Sequence, residues 1–244
     1  MTSAELFELF TSELQRAANG AKLAIMLAGP NGAGKSTAFE TLISKIAVDQ
    51  KLEFLNADDM VRELVDAHHG QGTPLSALDP AALSVLQKQA QKQMHLERSL
   101  RIEAANSNFV FETVFSDPDG HRLAELDKAQ QAGLKTVMVA VCSDELETLI
   151  ERVRQRALRG AHGVDEATQR SRYPRVRANL CTAASRVSLA ILLDNSRPSA
   201  KQGMGRYRAL AFINQGQLVG CVPDMSAWAR EVVASVAPQT DRPH

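Results

Sequence analysis

The sequence predicts an α/β fold with a doubly wound, mostly parallel sheet of five strands, a helical lid and a C-terminal hairpin. Short apolar runs alternate with helix-length segments along the chain, and glycine or polar residues follow these runs. Unbroken apolar runs are typical of strands buried on both faces, and their alternation with helices is typical of parallel sheets. The 244 residues are expected to form a single domain, 1–244.

The predicted elements follow one another in a regular order. Leu6, Phe10 and Leu14 recur at helical spacing and predict an N-terminal helix within residues 1–20. The five predicted strands are residues 23–28, 52–55, 109–111, 136–141 and 190–193. The helices predicted between them are residues 36–46, a helix that continues from 58, then 79–105, 119–132 and 144–159. A turn at Gly216 predicts a hairpin over 207–222, followed by a last helix, within a C-terminal region of residues 200–236.

A glycine-rich loop separates the first predicted strand from the helix after it. It reads Gly29-Pro30-Asn31-Gly32-Ala33-Gly34-Lys35-Ser36-Thr37 and matches the pattern GxxxxGK[ST]. Glycines let backbone N–H groups converge on a phosphate, and the N-terminus of the following helix attracts the same anion. Lys35 can reach the β- and γ-phosphates, while the Ser36 hydroxyl can ligate Mg²⁺. The loop therefore predicts a site for ATP, with Mg²⁺ as its metal.

The rest of the sequence favours a kinase over a transporter ATPase. A transporter ATPase would add an LSGGQ-like segment and a strand that ends in Asp-Glu. No LSGGQ-like segment occurs in the sequence. The nearest candidate for the acidic strand end is Asp194, and Asn195 follows it instead of a glutamate.

Two carboxylates follow predicted strands at the edge where an open α/β sheet binds its ligands. Asp58 follows the second strand, and we expect it to be the general base that accepts the proton of the acceptor hydroxyl. A Mg²⁺ contact and a helix N-cap are alternative roles for Asp58. Glu112 follows the third strand and is expected to contact the substrate or the surroundings of the metal. Thr113 is expected to hydrogen-bond the acceptor or the γ-phosphate.

Residues 148–178 predict an arginine-rich lid. Eight arginines lie between residues 151 and 177 and are opposed by three acids, in a chain whose net charge is zero. Arg152, Arg156 and Arg159 fall on one face of a helix, and the glycine-flanked break at 160–164 is typical of a mobile lid. Arginines that close over the γ-phosphate would stabilise its developing charge. A solvated charged face and an RNA-binding patch are the alternatives, and the scarcity of aromatic residues argues against RNA.

Together these motifs resemble the zeta-toxin-like P-loop kinases and their bacterial relatives labelled predicted ABC-type ATPases. The resemblance runs from residue 23 to residue 196. The segments that carry it are residues 29–37, 56–59, 109–113, 151–164, 170–173 and 193–196. One departure is Val114, because relatives usually have Glu-Thr-Thr after the third strand.

The resemblance implies a nucleotide-kinase-like fold and transfer of the ATP γ-phosphate to a small-molecule hydroxyl. A UDP-sugar such as UDP-N-acetylglucosamine is the implied acceptor, and a small helical antitoxin is the implied protein partner. The family's roles fall on Lys35 as the P-loop lysine, Asp58 as the base, Glu112 as the acid after the third strand, and Arg152 with Arg159 as lid arginines. A non-catalytic ATP-binding module and a polynucleotide kinase are the competing hypotheses.

Charge and hydropathy exclude several other classes of protein. A net charge of zero and a pI near 7.0 give no general electrostatic attraction to nucleic acid or to anionic membranes. The N-terminus lacks the basic and apolar regions of a signal peptide, and the apolar runs are too short to span a membrane. We therefore expect a cytoplasmic protein with no membrane partner.

Overall fold

The centre of the protein is one eight-stranded sheet, seen in a computed structural model that describes residues 1–46, 52–159, 163–196 and 207–238. Its strands are β1 (Leu23–Ala28), β2 (Glu53–Leu55), β3 (Phe109–Thr113), β4 (Lys135–Cys142), β5 (Leu189–Asp194), β6 (Arg208–Asn214), β7 (Gln217–Cys221) and β8 (Ala237–Pro238). The order across the sheet is β2-β3-β1-β4-β5-β6-β7-β8.

Helices connect and cover the strands. They are α1 (Ser3–Gly20), α2 (Lys35–Ala38), α3 (Ser44–Ile46), α4 (Ala57–His69), α5 (Pro80–Ala104), α6 (His121–Gln131), α7 (Leu146–Leu158), α8 (Glu166–Ala184) and α9 (Ala227–Ala234). A π-helical turn (Phe39–Ile43) joins α2 to α3, and a 3₁₀ turn (Leu75–Ala77) precedes α5. Within the described residues no helix is both long enough and apolar enough to cross a membrane.

The mostly parallel α/β fold predicted from the sequence is confirmed. Strands β2, β3, β1, β4 and β5 all pair in parallel. All six residues of β1 are buried, as are seven of the eight in β4, in agreement with their unbroken apolar sequences. This pairing brings the carboxyl ends of β1 and β3 side by side.

The sheet is wider than the five strands predicted. The predicted C-terminal hairpin exists as β6 and β7, but it continues the central sheet, because β6 pairs antiparallel with β5. The physical reason is that β5 is apolar on both faces and would otherwise present unpaired backbone groups at an edge. Helix α1 covers the added strands through Leu6, Phe10 and Leu14, and the rings of Phe10 and Phe212 meet edge to face at 5.9 Å.

Side chains at the helix ends explain where α4 and α5 begin. Asn56 caps α4 by accepting a hydrogen bond from the backbone N–H of Asp58 at 3.0 Å. Asp79 caps α5 by accepting from two backbone N–H groups, and proline occupies the first helical position. Both caps place their helices close to the positions predicted from the sequence. The glycine-flanked break of the predicted lid lies partly at 160–162, outside the described residues.

Candidate active site

The glycine-rich loop joins β1 to α2 and lies against two other parts of the chain. Gly32 has a φ of 78°, and a Cβ atom there would collide with the carbonyl oxygen of Leu149 in α7. Gly34 has a φ of 96°, and a Cβ atom there would lie 2.7 Å from Nδ2 of Asn195. Backbone conformation and close packing therefore both require glycine at these two positions.

Two side chains hydrogen-bond carbonyl oxygens of the glycine-rich loop. The hydroxyl of Tyr207 donates to the carbonyl oxygen of Gly34 at 2.7 Å, and Nδ2 of Asn195 donates to the carbonyl oxygen of Ala33 at 2.7 Å. In a trans peptide the N–H points away from the C=O of the same peptide unit. The N–H groups of Gly34 and Lys35 therefore point away from Asn195 and Tyr207, the orientation a phosphate cradle needs.

Lys35, Ser36 and Glu112 meet at the open side of the loop. Ser36 Oγ donates to Glu112 Oε2 at 2.7 Å, and Lys35 Nζ lies 3.4 Å from Glu112 Oε1. Lys35 Nζ also donates to the carbonyl oxygen of Pro30 at 3.1 Å. Glu112 reaches this point because it lies beside Leu27 in the parallel β1–β3 pair.

The Ser36 hydroxyl fits the oxygen ligand that a magnesium ion would need at this position. The hydrogen bond to Glu112 turns the Ser36 proton away and leaves the hydroxyl lone pairs available to a cation. Mg²⁺ prefers oxygen ligands and usually takes only one or two of them from the protein. No group of three or more His, Cys, Asp or Glu residues that could hold a metal occurs in the described parts of the chain.

The acid beside the loop is Glu112. In a transporter ATPase the acid at the end of a strand such as β5, here Asp194, would be expected in this place. The Asp194 carboxylate instead accepts hydrogen bonds from the backbone and hydroxyl of Ser196, at 3.2 and 2.6 Å. Burial raises the pKa of Asp194, and Ser196 opposes that rise. The strand order explains the difference, because β3 is adjacent to β1 whereas β5 is separated from it by β4.

A cavity of about 620 Å³ opens in front of the loop and brings most of the predicted site residues together. Those lining it are Asn31, Gly32, Gly34, Lys35, Ser36, Thr37, Asp58, Glu112, Thr113 and Arg152. Gly29, Pro30 and Ala33 belong to the loop but do not line the cavity. Because Asn56 caps α4, the alternative role of Asp58 as the N-cap is not observed, and its carboxylate is left at the cavity.

The loop after β3 is fixed in a strained conformation beside Thr113 and Val114, both of which line the cavity. Phe115 is buried with a φ of 61°, a region that costs a bulky residue free energy. Thr113 Oγ1 accepts from the Phe115 N–H at 3.0 Å, and Asn179 Nδ2 donates to the Phe115 carbonyl oxygen at 3.0 Å. These hydrogen bonds hold the end of β3 in one position.

The structure divides the arginine-rich segment between the cavity and the rest of the fold. Arg152 and Arg156 of α7 line the cavity, whereas Arg159, at the C-terminal end of α7, is exposed and does not line it. Arg152 Nη2 donates to the Asn195 carbonyl oxygen at 2.8 Å, and Nη1 is buried with no hydrogen-bond partner in the described structure. Three other arginines bind protein groups: Arg170 binds Glu147 at 2.6 Å, Arg175 the Ser116 carbonyl oxygen at 3.1 Å, and Arg177 Glu231 at 2.9 Å.

A buried ionic cluster from α5 and α6 was not predicted from the sequence. Glu125 accepts from Arg98 Nε at 3.1 Å and from Arg122 Nη1 at 2.7 Å, and His95 Nδ1 lies 2.6 Å from it. Burial would raise the pKa of Glu125, but the two arginines bring it below its ordinary value. Burial and the neighbouring Arg122 lower the pKa of Arg98. In the sequence this cluster is indicated by Arg98, a charged residue on the otherwise apolar buried face of α5.

Comparison with known proteins gives a family and a set of structural neighbours. A family model described as "AAA domain" matches residues 25–180. The AvrRxo1-ORF1:-ORF2 structure with ATP has 17% identity and a TM-score of 0.57, covering 88% of this chain and 67% of that chain. The native AvrRxo1-ORF1:-ORF2 complex has 17% identity and a TM-score of 0.60, covering 94% and 68%.

A third neighbour comes from the PezAT chromosomal toxin–antitoxin system of Streptococcus pneumoniae. It has 12% identity and a TM-score of 0.50, covering 95% of this chain and 87% of that chain. No protein of the curated set matches the sequence. At these identities the solved structures establish the fold that they share with this chain.

Proposed function

The chain belongs to the AAA domain family and has a P-loop kinase-like fold, and we propose that it transfers the γ-phosphate of ATP to a hydroxyl group of a small molecule. The predicted resemblance to the zeta-toxin-like P-loop kinases is confirmed at the level of family and fold. The observation that carries the proposal is the contact of Ser36 and Lys35 with Glu112 in the same cavity as Asp58.

The loop side of the cavity binds the nucleotide in this proposal. In the loop of residues 29–37 the N–H groups of Gly34 and Lys35 hold the phosphates. Lys35 Nζ, which is now paired with Glu112, turns to the β- and γ-phosphate oxygens. Ser36 would hold Mg²⁺ through its hydroxyl, which Glu112 orients by accepting its hydrogen bond. Mg²⁺ supplies neutralisation of the phosphate charge when bound.

Asp58 acts on the acceptor side as the general base. The acceptor oxygen attacks the γ-phosphorus, the bond to the β-phosphate oxygen of ATP breaks, and the hydroxyl proton passes to the Asp58 carboxylate. Thr113 hydrogen-bonds the acceptor or the γ-phosphate in this proposal, which its position in the cavity lining next to Glu112 supports. A UDP-sugar remains the first acceptor to test.

Arg152 and Arg156 are the proposed arginines of the transfer step. Both line the cavity, and Nη1 of Arg152 is a buried donor without a hydrogen-bond partner in the described structure. A guanidinium held at the γ-phosphate stabilises charge that spreads over its oxygens. We propose Arg156 for this role because it lines the cavity and Arg159 does not. A phosphate contact of Arg159 stays a prediction.

Two neighbouring acids provide the test of the base. Asp58 and Asp59 both lie in the first turn of α4 and interact similarly with the helix dipole, but only Asp58 lines the cavity. The protein is incubated with labelled ATP, Mg²⁺ and a panel of UDP-sugars, nucleosides and oligonucleotides. We expect Asp58→Asn to lower kcat by roughly 10²- to 10⁴-fold with unchanged ATP binding, and Asp59→Asn to resemble wild type.

The same panel decides among the competing functions. Equal rates for Asp58→Asn and wild type would remove Asp58 as the base. If no acceptor is labelled while Lys35→Ala abolishes ATP binding, the chain is a nucleotide-binding module. Labelling of oligonucleotides alone identifies a polynucleotide kinase.

A small helical antitoxin is the proposed protein partner. The PezAT neighbour belongs to a toxin–antitoxin system, and the kinases that the sequence resembles include such toxins. We expect expression of the wild-type chain in bacteria to arrest growth and Lys35→Ala to relieve the arrest. Equal growth of the two strains at equal protein levels would contradict this part of the proposal.

A further inference from the structure

The cavity has a second set of cationic side chains, which the proposed transfer step does not use. Arg98 of α5 and Arg122 of α6 line it together with Gln91 and Met94 of α5. The loop and α7 supply the other cations at the cavity, which the proposed mechanism assigns to the nucleotide. The α5–α6 wall, formed by Gln91, Met94, Arg98 and Arg122, has no assigned part in the proposed transfer step.

Positive charge on this wall exceeds what its carboxylate can neutralise. Arg98 and Arg122 share one carboxylate, that of Glu125, which does not itself line the cavity. Among all the described residues that line the cavity, five are cationic, Lys35, Arg98, Arg122, Arg152 and Arg156, and two are acidic, Asp58 and Glu112. This excess occurs in a chain whose net charge is zero.

Both guanidinium groups keep donors available for a ligand. Among the side-chain hydrogen bonds between described residues, Arg122 makes one, from Nη1, and Arg98 makes two, from Nε and Nη2. Arg98 is fixed in place, since its side chain is only 5% exposed and its guanidinium carbon lies 5.4 Å from the centre of the Phe111 ring. Arg122 is 26% exposed and therefore reachable from the cavity.

We propose that the α5–α6 wall is an anion subsite, and that the phosphoryl acceptor carries a phosphate or carboxylate group which Arg122 binds with support from Arg98. The term acceptor rests on the proposed function; the anion subsite itself does not. Guanidinium groups recognise phosphate and carboxylate through paired, charge-assisted hydrogen bonds. Glu125 orients the two arginines by accepting hydrogen bonds from both, and His95 contacts Glu125. Asp58, which would take the proton of the acceptor hydroxyl, lines the same cavity.

Anion binding is tested first, without any requirement for turnover. The full chain is saturated with Mg²⁺ and a non-hydrolysable ATP analogue, so that the loop is filled, and is then titrated calorimetrically with inorganic pyrophosphate and, separately, with malonate. We expect Arg122→Gln to weaken binding of the preferred anion by roughly 10- to 100-fold and Arg122→Lys to restore part of it. Lys128→Gln, which removes the same charge from an exposed position of α6, should bind as wild type does.

The two anions distinguish a phosphate subsite from a carboxylate subsite. Absence of binding by both anions, or equal affinity in wild type and Arg122→Gln, would overturn the proposal. Thermal unfolding of each variant separates a local loss of affinity from a loss of the fold.

Turnover is tested second, with matched acceptors that differ only in an anionic group. Nucleosides are compared with their 5′-monophosphates, and glycerol with glycerol 3-phosphate and glycerate. We expect the anionic member of the accepted pair to have the lower KM, and Arg122→Gln to raise that KM while kcat and the KM for ATP stay within about twofold. Preference for the neutral member, or a preference that survives in Arg122→Gln, would refute the assignment. If no acceptor is labelled, the proposed kinase function fails, whereas the calorimetric result still decides the anion subsite.

Discussion

Replacing Tyr207 with phenylalanine tests whether its hydrogen bond to the glycine-rich loop contributes to nucleotide binding. The substitution removes one hydroxyl, which donates to the Gly34 carbonyl oxygen at 2.7 Å, and keeps the ring of a residue that is only 1% exposed. The carbonyl oxygen of Gly34 also accepts from the N–H of Ala38 at 2.9 Å. It therefore keeps one hydrogen bond after the substitution.

The hydrogen bond that remains on the Gly34 carbonyl oxygen sets the expected loss in the free energy of unfolding. A buried acceptor left with no partner would cost up to about 3 kcal/mol, but an acceptor that retains one costs nearer to a net hydrogen bond, about 1 kcal/mol. We expect urea unfolding of Tyr207→Phe to show this loss in the free energy of unfolding. If the hydrogen bond also fixes the loop for phosphate, the Kd for ATP should rise by up to about fivefold.

The other tyrosine of the chain, Tyr173, provides the control. Tyr173 donates to the carbonyl oxygen of Ser143 at 2.6 Å and is 8% exposed. Tyr173→Phe therefore removes the same chemical group from another buried position, and its Kd for ATP should stay at the wild-type value. Equal ATP affinities of Tyr207→Phe and wild type, or equal increases in Kd for the two tyrosine variants, would refute the reasoning.

Further predictions concern the loop glycine and the ionic cluster. Gly32→Ala should abolish measurable ATP binding, because the added Cβ would collide with the Leu149 carbonyl oxygen. Gly72→Ala is the control. Gly72 has a φ of 80°, close to the 78° of Gly32, but no neighbouring atom lies within 4 Å of its Cβ position, so this variant should bind ATP normally. Glu125→Gln should lower the free energy of unfolding by about 3 kcal/mol, because it leaves the buried Arg98 without a counter-charge. The arginine partners hold the pKa of Glu125 in the folded protein below its ordinary value. The ionised Glu125 carboxylate therefore stabilises the fold fully above the pKa that it has in the unfolded chain. This stabilisation is lost as the pH falls through the lower pKa of the folded protein. Urea unfolding at several acidic pH values should show this loss in wild type and a flatter profile in Glu125→Gln.

The elements that the sequence predicted well are those set by local pattern. The unbroken apolar runs gave β1 and β4, and the Asp-Pro pair at residues 79–80 gave the start of α5 to within one residue. In contrast, no helix with its own bounds was predicted over α8, although its first part lies in the predicted helical lid of residues 148–178. Its regular pattern is interrupted by Pro174 inside the helix, and packing against its neighbours overrides that interruption.

The parts of the site that were missed depend on long-range contacts. Tyr207 and Gly34 are 173 residues apart, and nothing in either local sequence indicates that they touch. Helical spacing put Arg152, Arg156 and Arg159 on one face, but spacing alone does not say where the cavity ends along that face. In the structure Arg152 and Arg156 line the cavity, whereas Arg159, the C-cap of α7, does not.

The antiparallel hairpin has a consequence for how the protein can be cut. The family match ends at residue 180, inside α8, so a fragment designed from it would lose β5 as well as the hairpin. A fragment that stops at residue 196 would keep β5 but expose Leu189–Asp194 as a sheet edge. Its first five residues are all buried in the intact protein. An apolar edge of this kind pairs readily with other chains, so such a fragment should aggregate on expression, whereas chains extended through β7 should remain dispersed.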